Sequence, residues 1–187
     1  MKKVSNLLVN DVAASKQSIL DIGCGNNKVS TEAIGIDNVL LPSVDIVHDL
    51  NTVPYPFKKN TFDQIHANMI LEHLDDLLSV MTEIHRILKP GGFLYIKVPY
   101  YMSLCAFGDP THKRFFTEKT FLFFTDNFDL NYYTPTRFKL ISQKLFCGKK
   151  SLGEKLRSLI PLRYLLRHFI FNLYDEIHIT LQKPSGS

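Results

Sequence analysis

Six residues, Leu20-Asp21-Ile22-Gly23-Cys24-Gly25, carry the first chemically informative spacing in the chain. Glycines at such a position let the backbone take positive φ and approach a ligand closely. An acid sits inside this run, and two more, Asp37 and Asp49, close the next two short apolar runs. Carboxylates are acceptors, so three of them suit hydroxyl and amino donors or a cationic ligand, and would repel a pyrophosphate. A second set of residues could move a proton. His112 lies in Asp109-Pro110-Thr111-His112-Lys113-Arg114-Phe115-Phe116, and His73 follows Glu72. An imidazole with a pKa of about 6.5 suits base work at neutral pH, and a capping or packing role competes with that reading for both. Lys113 and Arg114 could hold an anionic substrate group. Tyr100 and Tyr101 could line a pocket or pack. Neither metal-ligand spacing nor a dithiol pair is visible, because Cys24, Cys105 and Cys147 are odd in number and far apart.

A dinucleotide loop would read G-x-G-x-x-G and would open a helix. Here Lys28 stands at the third glycine, and Asp37 comes earlier than the acid of that pattern. Only residues 29–32 separate Lys28 from the next strand. At about 1.5 Å per residue a full helix does not fit there. A ligand without phosphates is the other reading.

The elements that must position these residues follow from periodicity. Buried strands are expected at Ser18–Ile22, Ala33–Ile36, Asp45–His48, Phe62–Ala67 and Gly92–Val98. Leu77, Val80, Met81, Ile84, Ile87 and Leu88 form one helical face, and Lys89-Pro90-Gly91-Gly92 stops that helix and turns the chain. Thr117 is expected to cap a helix through Phe124. Later strands are expected at Arg137–Phe146 and Glu176–Leu181, flanking two helical pieces within Leu152–Leu173 broken at Pro161. Residues 1–15 suggest a short leading helix. Short apolar runs alternating with amphipathic ones indicate an α/β fold with a mostly parallel sheet.

The 187 residues suit one domain, 1–187, with a leading segment at 1–15 and a helical insertion at 147–174 before the last strand. No run reaches the roughly 18 apolar residues of a spanning helix, and the N-terminus lacks a signal-peptide pattern. The expectation is a cytoplasmic protein. The net charge of +4 hides an asymmetry: residues 137–187 hold 10 Lys/Arg against 3 Asp/Glu, a net +7, and residues 1–136 carry −3. Leu156–Leu173 is apolar with Arg157, Arg163, Arg167 and His168 interspersed. Such a stretch can pack on a sheet with its cations in water, which is the favoured expectation. It can also lie on the inner, anionic face of a membrane, giving peripheral contact through 152–173. No nucleic-acid module is visible.

Five segments in order, LDIGCGNNK, AIGIDN, DIVHDLN, FDQIHANMILEHLDD and EIHRILKPGGFLYIKVP, resemble the class I S-adenosylmethionine-dependent methyltransferases, most of all the group often labelled methyltransferase domain 11. The resemblance covers Ser18–Pro99 and, more narrowly, Gly108–Phe124. It implies a Rossmann-like three-layer sandwich with a seven-stranded, mostly parallel sheet in the order 3-2-1-4-5-7-6, here with the helix after the first strand shortened or absent. It implies S-adenosyl-L-methionine as cofactor. Asp21, Gly23 and Gly25 match the loop around its methionine part, and Asp37 matches the acid on the ribose. Asp49 with Leu50 matches the adenine contact, and Asn68 and Met69 match the strand end that passes the sulfonium. Glu72-His73 match an acid–histidine pair. The implied activity is methyl transfer to a small-molecule or lipid- or sugar-linked acceptor, with His112 and then His73 as candidate bases. Alternatives are an inactive interaction protein on the same fold, since the helix behind the loop is missing, and a nucleotide-sugar or NAD-dependent Rossmann enzyme. In place of that helix, Asn26, Asn27 and Lys28 are expected to hold the loop. Asn68-Met69-Ile70-Leu71 lacks the Pro-Pro-aromatic pattern of enzymes acting on DNA-base amino groups, which disfavours that substrate.

Overall fold

A computed structural model describes residues 17–126, 128–129, 131–148 and 151–186. The leading helix expected in 1–15 lies outside the described residues. The elements are β1 (Ile19–Ile22), β2 (Ile34–Asp37), β3 (Ile46–Val47), β4 (Phe62–Asn68), α1 (Leu77–Ile87), β5 (Leu88–Pro99), α2 (Leu104–Phe107), β6 (Lys139–Phe146), α3 (Leu152–Ser158), α4 (Arg163–Leu166) and β7 (Glu176–Gln182). They form one seven-stranded sheet in the order β3-β2-β1-β4-β5-β7-β6. β1 pairs in parallel with β2 and β4, and β7 runs antiparallel between β5 and β6. The order reverses between β1 and β4, and in open α/β sheets ligands bind at the carboxyl ends of the strands beside such a reversal. No helix among the described residues is long and apolar enough to cross a membrane.

One face of the sheet is apolar: the register places Leu20, Ile22, Ile65, Leu94, Val98 and Leu181 on the same side, and all are fully buried. Gln64, His66, Tyr95 and His178 of the other side are half-buried among the described residues. α1 is capped by Asp76, whose carboxylate accepts from Leu78 N and Ser79 N. It buries Val80, Met81, Ile84 and Ile87, each contributing about 1.5–3 kcal/mol. A mostly non-helical aromatic segment packs beside it: His85 meets Phe138 edge-on, and Thr82 Oγ1 bonds Thr136 Oγ1 at 2.9 Å.

Glu83 fastens α1 to the chain before β4. Its buried carboxylate accepts from Tyr55 N at 2.7 Å and from Arg86 Nε and Nη2 at 2.7 and 2.5 Å, while Arg86 also donates to Phe57 O at 2.8 Å. Glu83→Ala leaves a buried amide and a partly buried guanidinium unpaired. A loss of about 3 kcal/mol is expected, lowering the melting temperature by on the order of 10 °C, which calorimetry or circular dichroism would check.

Three expectations are corrected. The turn expected at Lys89-Pro90-Gly91-Gly92 lies inside the strand and not before it. β5 begins at Leu88, which pairs with Phe62, the pairing then skips to Phe93 on Gln64, and Gly91, at φ +80°, donates its N–H to Lys183 O just past β7. Thr117 caps no helix: the 3₁₀ helix starts at Thr120, and Thr117 Oγ1 accepts from Lys119 N in a local turn. The third correction concerns 152–171. The pieces break around Pro161, but the second is a single turn entered through Leu162 at φ +53°. The favoured picture of packed leucines and solvated cations is inverted. Arg157 donates to Asp175 Oδ1 at 2.9 Å, Arg167 to Glu118 Oε1 at 2.7 Å, and Arg163 lies over the Tyr174 ring. Leu159 and Phe169 instead stand 76% and 84% exposed. Arginine finds carboxylate and aromatic partners on the body, so the apolar side chains face outward.

Candidate active site

β1 delivers its carboxyl end into a loop with no helix behind it. Gly23 N and Cys24 N both donate to Ile36 O of β2. Gly23 sits at φ +67°, and a Cβ there would lie 2.4 Å from Ile70, so only glycine allows this approach to the chain leaving β4. Gly25, at φ +52°, has nothing within 4 Å of where a Cβ would stand, so among the described residues this side of the loop is open. The loop is held by acids and by one lysine. Asp21 Oδ2 accepts from Val29 N at 2.7 Å, and Asp37 Oδ2 accepts from Gly25 N at 2.9 Å. Asp45 Oδ2 accepts from both Lys28 Nζ and Gly35 N at 2.8 Å, and Ser43 Oγ donates to Asn26 O at 2.5 Å. Lys28 thus takes the supporting part expected of it. Asn26 contributes through its backbone carbonyl and Asn27 through its backbone N–H, which donates to Cys24 O.

The acids differ in surroundings. Asp21 is buried beneath the loop, and burial first of all pushes its pKa up. It shapes the loop as much as it faces a ligand. Asp37 is half-buried at the end of β2, and Asp49 is exposed two residues beyond β3, its Oδ1 accepting from Asn51 N. Leu50 beside it is buried and accepts from Tyr55 Oη. At the end of β4, Asn68 Oδ1 is buried with no hydrogen-bond partner among the described residues, and Met69 adopts φ +50°.

Directly after β4 the chain makes a 3₁₀ turn, Leu71–His73, which places Glu72 and His73. The 108–116 loop crosses it, with Lys113 N donating to Glu72 O at 2.8 Å. This docking brings His112 to His73, their ring centroids 4.8 Å apart. His112 Nδ1 lies 2.9 Å from Ala106 O, and its side chain is 7% exposed. A carbonyl only accepts, so Nδ1 carries the hydrogen and Nε2 keeps its lone pair. Glu72 is 1% exposed, and among the described residues neither carboxylate oxygen has a hydrogen-bond partner. Burial raises its pKa to about 7.

The two histidines expected to act as bases are therefore together, and an unpartnered carboxylate stands with them. The remaining substrate candidates are placed differently. Lys113 Nζ is paired with Asp75 Oδ1 at 2.6 Å, and Arg114 donates to the carbonyls of Leu74 and Asp75. Both lie against the segment just after the 3₁₀ turn. Tyr100 is buried beside Tyr101 and Tyr174 and serves as core, while Tyr101 is half-exposed. Thr111 and Asp109, which orient His73, were not anticipated as site residues. The Asp-Pro-Thr-His run carried the only signal, an acid two residues before a hydroxyl.

Residues 2–145 match the family model described as a methyltransferase domain, and the chain belongs to that family. It is 26% identical over 121 residues to an uncharacterized methyltransferase of Schizosaccharomyces pombe, covering 48% of this chain and 42% of that protein. It is 32% identical over 72 residues to the demethylmenaquinone methyltransferase of Lysinibacillus sphaericus, covering 35% and 30%. The chain thus spans less than half the length of these curated relatives. Among solved structures, a SAM-dependent methyltransferase from Archaeoglobus fulgidus superposes with a TM-score of 0.62 at 18% identity, covering 90% of this chain and 87% of that one. The fold is the Rossmann-like methyltransferase fold.

S-adenosyl-L-methionine is the family's cofactor, and the residues present fit it. The site offers acceptors to a ligand rich in donors: the Asp37 and Asp49 carboxylates and the orphaned Asn68 Oδ1. Its glycine loop is open at Gly25, and its acids favour a cation.

Proposed function

We propose that this chain transfers a methyl group from S-adenosylmethionine to a hydroxyl of a small or lipid- or sugar-linked acceptor. The observation that carries the reading is a juxtaposition. The open glycine loop and its acids lie at the sheet's reversal point, and a cluster of proton acceptors is made by Glu72 and His73, just after β4, with His112 of the 108–116 loop. When bound, the cofactor supplies a methyl already activated by positive sulfur. Asp37 would accept from the ribose hydroxyls, Asp49 with Leu50 would meet the adenine, and Asn68 with Met69 would border the sulfonium. His112, with Nε2 free to accept, takes the proton from the acceptor's hydroxyl. The missing helix behind the loop is compensated by the bonds of Asp21, Asp37, Asp45 and Lys28. A coupled assay for the demethylated product, run over a panel of hydroxylated acceptors, tests this. Acceptor-dependent product is expected; cofactor binding without turnover across the panel favours the interaction-protein alternative.

The outward apolar face of 152–171 supports an acceptor held at an anionic membrane surface. Leu152, Leu156, Leu159, Leu162, Leu165 and Phe169 are exposed on a segment whose Lys155, Arg157, Arg163 and Arg167 outnumber its single acid, Glu154. Apolar side chains beside a basic surface suit lipid headgroups and acyl boundaries. Binding to vesicles containing anionic phosphatidylglycerol is expected, and Leu159→Glu with Phe169→Glu should weaken it by roughly tenfold or more. Equal sedimentation of wild type and double variant would contradict it.

A further inference from the structure

We propose that Glu72, His73 and His112 form a binding site for a divalent transition-metal ion. Each offers one ligand atom, and these atoms all lie within 4.8 Å of one another. Two imidazoles and one carboxylate are a donor set for Zn²⁺, Fe²⁺ or Co²⁺ and a poor one for Mg²⁺, which prefers oxygen. The separations must close to roughly 3.3 Å for bonds of 2.0–2.1 Å, a movement within reach of side-chain rotation.

Hydrogen bonding sets both rings up as ligands. His112 gives its Nδ1–H to the Ala106 carbonyl at 2.9 Å, leaving the Nε2 lone pair free. Thr111 Oγ1 lies 2.6 Å from Asp109 Oδ1 and 2.9 Å from His73 Nδ1. The hydroxyl has one proton and the carboxylate must receive it, so His73 Nδ1 is the donor to Thr111 and its Nε2 is also unprotonated. Imidazoles that ligate metals are fixed in this way, through the other nitrogen, by a carbonyl or a carboxylate chain.

The independent observation is Glu72. It is 1% exposed, and neither carboxylate oxygen has a hydrogen-bond partner among the described residues. An unpartnered buried carboxylate is costly, and the neighbouring groups with lone pairs are acceptors like itself. A cation resolves the conflict. His73 is half-exposed, which leaves a route in and an open coordination position. The metal site stands on this geometry alone. Its use rests on the methyl-transfer reading: an ion here would bind the acceptor's oxygen and lower the pKa of its hydroxyl, in place of proton uptake by His112.

The test uses the tag-free full chain after chelator treatment, titrated with Co²⁺ and Zn²⁺ by calorimetry and visible absorption. One equivalent of Co²⁺ is expected, with ligand-field bands that Zn²⁺ abolishes. His112→Asn and His73→Asn should each weaken binding at least 100-fold, and Thr111→Val, which only positions His73, by roughly 10–100-fold. Glu72→Gln should do as much as the histidine variants, and should it fail to fold, His73→Asn at its half-exposed position still decides the matter. No saturable Co²⁺ or Zn²⁺ binding by folded wild type, or binding retained in His112→Asn, overturns the proposal. Binding of S-adenosylhomocysteine, measured on the same samples, separates the two readings: its absence with Co²⁺ still bound sinks methyl transfer and leaves the metal site standing.

Discussion

Replacing His112 with alanine should lower turnover by about 10²–10⁴-fold, the range supplied by a positioned proton acceptor. The side chain is held on two sides. Its Nδ1 is bonded to Ala106 O, and its ring is packed edge-on against His73. The loop that carries it is fastened to the 3₁₀ turn by Lys113 N on Glu72 O and by Arg114 on Leu74 O and Asp75 O. Removing the imidazole leaves those fastenings in place, so cofactor affinity and melting temperature should change little. His112→Asn can return a donor to Ala106 O without a lone pair of imidazole basicity, and it should be as slow as alanine. Initial rates at saturating acceptor would check this. Turnover within threefold of wild type in both variants would remove His112 from the chemistry.

Asp37→Ala should weaken S-adenosylhomocysteine binding by about 100-fold. Asp37 holds Gly25 N through Oδ2 and Val39 N through Oδ1, and under the proposed function its carboxylate would also take the ribose hydroxyls. Hydrogen bonds to charged groups are worth roughly 1.5–3 kcal/mol each, so losing two costs about 3 kcal/mol or more, and each 1.4 kcal/mol is about tenfold in affinity. Asp37→Asn keeps an acceptor and loses the charge, so an intermediate loss is expected. Calorimetric titration of the three proteins would rank them. Equal affinities would mean that the ribose is held elsewhere.

Much of the fold was legible because its signals are local. Each of the first three strands is a short apolar run closed by an acid or a glycine, and the interval between Lys28 and β2 is too short for a helix whatever surrounds it. Where pairing partners decide, the sequence said less. Leu88 reads as the end of a helix, but its pairing with Phe62 makes it the start of β5. The 152–171 segment shows why periodicity alone fails. It counts apolar and basic residues without saying which side faces the body. Asp175 and Glu118, 18 and 49 residues from the arginines they bind, decide that here. The same holds in the site. His112 and His73 were recognisable by type, whereas the burial of Glu72 and the Asp109–Thr111–His73 chain exist only once the 108–116 loop lies across the 3₁₀ turn.

The central claim is that the glycine loop, without a helix behind it, still forms a working S-adenosylmethionine site. Calorimetric titration of the intact wild-type chain with S-adenosylmethionine, and separately with S-adenosylhomocysteine, tests it most directly. Saturable binding of both at one equivalent is the expected result. A folded chain that binds neither, up to the solubility of the ligands, would contradict it.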